Sequence, residues 1–232
     1  MENEADDGDE VIVNADLLIS EYGTFINEIL KRLDAVSESL REIMANPDHP
    51  ENWKNCDFCW FQIRKICEYM ASVIVLAHHR DSGDEIELQN WKPKDLLAQV
   101  DKLSHHPRFV AISSVLIDHG ESRQITPLAK PIDSKIISEI YGRCSELLHV
   151  GNLKRLLESK LPSYDTSQLE VWLLGFTRLM QNHALLLPKV KKVLVCISRF
   201  EFASAPEIFL MAGEGEGLFD MANLPEFELA AN

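Results

Sequence analysis

The sequence predicts a mainly α protein, a helical bundle with one β-hairpin inserted between helices and a second at its C-terminal end. Three observations carry this. Tyr22, Ile26, Ile29, Leu33, Val36, Leu40 and Ile43 alternate steps of four and three residues, a single apolar seam. The stretch "CWFQIRKICEYMASVIVLA" is apolar around most of a helix circumference, as a helix in the middle of a bundle must be. Two stretches, "RFVAISSVLIDHGESRQITPL" and "KVKKVLVCIS" with "PEIFLMAG", switch to β-branched runs punctuated by turn residues.

Taken in order, residues 1–14 form an acidic leader with too little apolar content to order. The seam helix follows and stops at "ANPDHPEN", because proline disfavours helix at the residue before it. The second helix spans about Trp53 to His79, with Arg64 and Glu68 as its main interior charges, four apart and so on one face. "NWKPKDLLAQVDKLSHHP" gives a short third helix, with Pro93 near its first turn. Phe109 to Ile117 and "RQITPL" form the inserted hairpin around "DHGES".

The fourth helix runs from Ser134 to His149, capped by Asp133 or Ser134 and ended by Gly151. "NLKRLLESKL" adds a helical turn or two. "TSQLEVWLLGFTRLMQNHALLLP" forms the last helix, with Ser167 and Glu170 as a capping box and Pro188 closing it. The helical domain is thus expected over 15–187, with a C-terminal hairpin and acidic tail over 188–232.

The 232 residues are 46% hydrophobic and 26% charged, enough for a real core. No apolar run reaches the roughly 18 residues of a membrane span, and "MENEADDGDE" is the opposite of a signal peptide. A cytoplasmic protein with no membrane contact is expected. The net charge of -14 argues against a broad grip on nucleic acid but leaves room for a local basic site. There is no P-loop, dinucleotide glycine motif or G-x-S-x-G.

The functional question centres on "YGRCSELLHVGN". At about 100° per residue, Ile137, Ile140, Tyr141, Cys144, Leu147 and Leu148 share one stripe, the core side. Arg143, Glu146 and His149 step by three around a second face and are not needed to fill the core. Glu146 lies between the other two and can touch either. His149 sits in the last turn, where the helix dipole favours positive charge.

This combination resembles the HEPN superfamily, helical bundles that are often dimeric and carry an arginine, four to six residues and a histidine on a late helix. "RCSELLH" has five residues between Arg143 and His149, and "RKICE", Arg64 to Glu68, matches an R-x-x-x-E on an early buried helix. The likeness covers about residues 15–187. It implies metal-independent RNA cleavage without a cofactor, as part of a stress response or phage defence. Arg143, His149 and Glu146 would be the catalytic residues, with Arg64 and Glu68 binding substrate. A histidine takes the proton from a ribose 2′-hydroxyl or protonates the leaving oxygen, and an arginine clamps the phosphate. One motif histidine per chain, with acid and base then supplied by two subunits, points to a homodimer. Cys144 stands where active members place a polar residue. The alternative is therefore a non-catalytic HEPN-like scaffold within a complex, with the C-terminal hairpin adding a strand to a protein partner.

Other candidates have plainer readings. Cys56 and Cys59 form a C-x-x-C without a second ligand pair at zinc spacing, so free thiols are expected over a metal site. The doublets His78/His79 and His105/His106 lie near expected helix ends, where histidine is common. Arg80 and His79 would be the first residues to extend the site.

Overall fold

A computed structural model describes residues 14–82, 92–100, 102, 108–117, 123–148, 166–187, 189–198 and 206–212, with Leu224 and Phe227. All of the expected 1–14 leader except Asn14, the "NLKRLLESKL" segment, His105, His106, His149, Gly151 and Pro188 lie outside them.

Two 31-residue helices form the frame, α1 (Ala15–Ala45) and α2 (Asn52–Ser82). Asn14 caps α1 by accepting from the Leu17 N–H at 3.0 Å. Asn52 Nδ2 donates to the carbonyls of Asn46 and Pro47 and closes the turn between the helices. The two run antiparallel, as a ladder of contacts shows. Arg80 grips Glu21 through both carboxylate oxygens at 2.9 Å, Arg32 donates to Gln62 at 2.6 Å, and Cys59 Sγ approaches the Val36 carbonyl.

All seven seam positions of α1 are buried. They are consumed inside the protomer, so the seam itself offers nothing to a second copy. Helix α2 is buried on most sides, as its composition predicts. It packs against α1, against the short α3 (Pro93–Val100) and α4 (Ser134–Leu148), and against α5 (Thr166–Gln181) through a T-shaped Trp60–Trp172 contact at 5.5 Å. Asp133 caps α4 by accepting from the Lys135 N–H at 2.8 Å.

The strands depart from expectation in two ways. The last helix stops at Gln181, and Asn182–Leu187 is a strand, β3. The inserted and C-terminal hairpins are not separate. They join through β3 into one antiparallel sheet of order β2-β1-β3-β4-β5, with β1 Arg108–Ile117, β2 Arg123–Pro127, β4 Lys192–Ile197 and β5 Glu207–Ala212. The sheet therefore runs across the boundary expected at 187/188. The physical reason is pairing. β1 and β4 each need a neighbour for their main-chain groups, and β3 supplies both, placing Phe109 opposite Leu185 and Leu194 opposite Leu185 on its other side.

One face of the sheet joins the main core through Phe109, Leu185, Leu187, Leu194 and Cys196. The other holds a second apolar cluster of Ile112, Ala184, Val193 and Val195. The sheet meets the start of α1 and the end of α2. At Gly23 a Cβ would stand 3.2 Å from Ile208 Cδ1, so α1 approaches β5 closely there. The Asp81 carboxylate of α2 accepts the N–H groups of Lys189 and Val190 at 3.2 and 2.9 Å. It thereby holds a turn in which Lys191 takes the left-handed conformation, φ 52°.

Between α1 and the sheet, the Tyr22 hydroxyl bonds to His183 Nε2, with both side chains fully buried. We assign the tyrosine as donor, which places the imidazole proton on Nδ1. The main-chain groups of Met180 and Leu179 favour the charged ring, but Nδ1 finds no aligned partner, and burial wins, pushing the pKa down to about 4. The unfolded chain therefore takes up this proton first. Stability from His183 is complete above its ordinary value of about 6.5 and falls as the pH drops toward 4, by about 3 kcal/mol in all. Urea melts between pH 7 and 4 should show this loss, and His183→Phe should flatten part of it. An equal slope in both proteins would count against the assignment.

Candidate functional site

Helix α4 buries Ile137, Ile140, Tyr141 and Cys144, whereas Leu147 and Leu148 are only half-buried against the core. The expected stripe is thus right in direction and overstated at its end. Arg143 and Glu146 stand on the exposed side. The Arg143 side chain is 54% exposed and meets Glu146 at 3.4 Å, its one ion pair among the described residues. Exposed i,i+3 pairs of this kind are worth only a few tenths of a kcal/mol. The arginine is therefore readily released to a stronger anion. His149 follows Leu148 in the chain and lies outside the described residues.

Arg64 and Glu68 behave differently. Arg64 is 18% exposed, and its Nε lies 3.4 Å from Glu68, close enough for attraction though not aligned as a hydrogen bond. Its guanidinium donates to the Tyr141 hydroxyl at 3.0 Å and lies 5.0 Å from the centre of that ring. Glu68 also takes Lys65 at 2.6 Å. Arg64 is thus a strut from α2 to α4. Residues two apart on a helix point about 200° from each other. The Tyr141 side of α4, where Arg64 docks, is therefore nearly opposite the Arg143 side. The fold brings Arg64, Glu68 and Tyr141 together, and separately Arg143 and Glu146.

Tyr141 is the residue that sequence reasoning misses. Periodicity places it on the core stripe for its ring, but its hydroxyl is what receives Arg64. A buried tyrosine usually finds a partner for its O–H, and an arginine within the mainly apolar stretch of α2 is the available signal.

The extensions of the site are also occupied structurally. Arg80 is committed to Glu21, and His78 is buried with Ser82 Oγ 3.2 Å from its Nε2. His79 is exposed at the end of α2. The five cysteines are free and buried. Burial pushes the Cys56 thiol up and the Cys59 thiol up to about 12, so neither is a ready thiolate. Burial also raises Cys144 to about 12, although Arg64 nearby pulls it down. Among the described residues no three His, Cys, Asp or Glu side chains gather as metal ligands would, and no helix is long and apolar enough to cross a membrane.

No family model, curated protein or solved structure matches the chain.

The two arginines should separate in stability measurements. Arg64→Met leaves the Tyr141 hydroxyl without its partner and Glu68 with Lys65 alone, and should lower stability by about 1–3 kcal/mol. Arg143→Ala should change it by no more than about 0.5 kcal/mol. Denaturant melts of both variants check this, and equal losses would mean that Arg143 is also a strut.

Proposed function

We propose that the chain is a HEPN-type metal-independent endoribonuclease or RNA-processing module, acting as a homodimer in a stress-response or phage-defence system. The observation that supports this best is the state of Arg143. It projects from a helix whose opposite side is packed, and among the described residues it is held by one weak, exposed ion pair. A guanidinium in that state can take a phosphate by two parallel N–H···O bonds, at the cost of an interaction worth little.

In this reading Arg143 holds the scissile phosphate and offsets charge that builds on it as the ribose 2′-oxygen attacks. The products are a 2′,3′-cyclic phosphate and a free 5′-hydroxyl. His149 takes the 2′-hydroxyl proton or delivers one to the leaving 5′-oxygen. Glu146 orients the arginine. The acidic chain, net -14, restricts such an enzyme to a narrow substrate or to one delivered by a basic partner.

A second reading has its own observation. Arg64 and Glu68, the pair that the resemblance assigns to substrate, are tied into the α2–α4 contact. A non-catalytic bundle that binds a protein partner would retain them for packing alone.

The purified full-length chain, incubated with mixed cellular RNA and a chelator, tests this. Wild type should cut, and His149→Ala and Arg143→Ala should each lose roughly a hundredfold or more in rate with unchanged melting. Ile140→Ala is the contrasting control: its side chain is 3% exposed, and it should lose about 2–5 kcal/mol of stability. Equal cutting by wild type and His149→Ala would remove the pair from the mechanism. No cutting by wild type would favour the partner-binding bundle.

A further inference from the structure

The net charge of -14 is unevenly spread. Val171 to Phe200 is the longest acid-free run in the chain, and it carries Arg178, Lys189, Lys191, Lys192 and Arg199. Strand β1, which pairs with β3, holds no acid either. The fold gathers cations from both segments at one end of the sheet. Lys189 and Lys191 stand in the β3–β4 turn and are exposed, and Lys192, half-buried, begins β4. Arg108, also exposed, begins β1 opposite Leu186, next to the end of β3. Two strand spacings, about 10 Å, separate β1 from β4 there. Neither Lys191 nor Lys192 makes a side-chain hydrogen bond or ion pair with a described residue. The anion beneath the turn is Asp81, which is 1% exposed and accepts the N–H groups of Lys189 and Val190. The segment leading into α4 also passes here, its Ile132 N–H donating to the Phe109 carbonyl at 2.9 Å, and it brings Lys130 and Asp133, whose charges cancel.

We propose that the β3–β4 turn, with Arg108 beside it, is a site that holds the phosphate backbone of single-stranded RNA. Lysine ammonium groups act on phosphate as point charges and Arg108 can add a forked contact, so the site grips the backbone and reads no base. The turn is fixed from below by Asp81, so its lysines are presented on a rigid support. Lys191 takes the left-handed conformation, φ 52°, which glycine adopts without strain and a lysine does not. A lysine at that position contributes charge at a conformational cost.

The shape of the charge selects the kind of polyanion. At physiological salt a charge is felt over about 8 Å. A thin, flexible strand can meet a small positive tip and keep its other phosphates beyond that distance from the acidic remainder of the chain. A flat anionic membrane or a stiff duplex brings many charges against that remainder at once. The choice of RNA among thin polyanions rests on the ribonuclease reading. The lysines themselves do not, because they lie outside residues 15–187, the reach of the family likeness. The turn thus supplies the local basic site for which a strongly acidic chain has room.

The test uses the full-length chain and a dye-labelled 2′-O-methyl oligouridine, which has no free 2′-hydroxyl to attack and stays intact. Its binding is followed by fluorescence polarisation between about 20 and 200 mM salt. With about three phosphates held, the logarithm of the affinity should fall against that of the salt concentration with a slope of about -2. Lys191→Gln and Lys192→Gln should each weaken binding roughly threefold at the low-salt end and flatten the slope by about 0.7. The triple variant Lys189→Gln/Lys191→Gln/Lys192→Gln should lose roughly tenfold or more. Lys31→Gln, an exposed lysine of α1, should bind as wild type does, and all variants should melt with it. No binding by wild type at low salt overturns the proposal. So does a slope that the turn variants leave unchanged, or an equal loss in Lys31→Gln. Tighter binding to phosphatidylserine vesicles or to polyglutamate than to the strand overturns it in favour of a lipid or a protein partner. Cleavage of unmodified RNA reports on the other reading separately. A wild type that binds the strand through the turn but cuts nothing keeps this site and removes the nuclease. A triple variant that binds and cuts as wild type does removes this site alone.

Discussion

Helix α2 is the constraint on which the rest of the molecule depends. A helix that is apolar on nearly every side cannot face water, and α1, α3, α4 and α5 are all recruited to cover it. The polar side chains on its covered sides then have nowhere to go but sideways, into the seams between α2 and its neighbours. Gln62 meets Arg32 of α1, Arg64 meets Tyr141 of α4, and Arg80 meets Glu21 of α1. Each of these contacts fixes the height of one helix against another. An apolar seam alone tolerates sliding by a turn, whereas a charged group half-removed from water must find its one partner.

The same logic joins the helices to the sheet. Two fully or nearly buried polar contacts bridge the layers, Tyr22 to His183 and Asp81 to the β3–β4 turn. Burial pushes the Asp81 carboxyl up, and the main-chain donors of Val190 and Lys189 pull it back toward the charged form. Ser198 completes the arrangement, donating its N–H to the Gln181 carbonyl at 2.6 Å. That contact satisfies a carbonyl at the end of α5 as the chain turns directly into β3. The sheet is therefore fastened at three places near one end of the bundle.

How much of this can be read from the chain varies with how local the cause is. The α1 seam, the buried α2, the Asp133 cap and the strands β1, β2, β4 and β5 follow from periodicity and turn residues within each segment. Strand β3 does not. "NHALLL" has no β-branched residue, and alanine and leucine are good helix formers, so the segment reads as the end of the preceding helix. It becomes a strand because β1, far earlier in the chain, and β4, just after it, both require a partner. Propensity lost to a pairing that no local window contains. The joining of two expected hairpins into one sheet is hidden for the same reason.

The candidate site divides along the same line. That Arg143 and Glu146 avoid the core follows from counting residues around α4, and the structure places them on the exposed side. Which partner Arg64 takes cannot be counted, because it depends on how α2 and α4 are set side by side. The family resemblance treats Arg64 and Arg143 as members of one site. Their surroundings separate them: one is desolvated and committed to Tyr141 and Glu68, the other is hydrated and only loosely held. An arginine already paired and buried has to break good interactions before it can bind an incoming anion, whereas an exposed one gives up almost nothing. Among the described residues Arg143 on α4 is thus the loosely held arginine, while Arg32, Arg64 and Arg80 hold the helices in register.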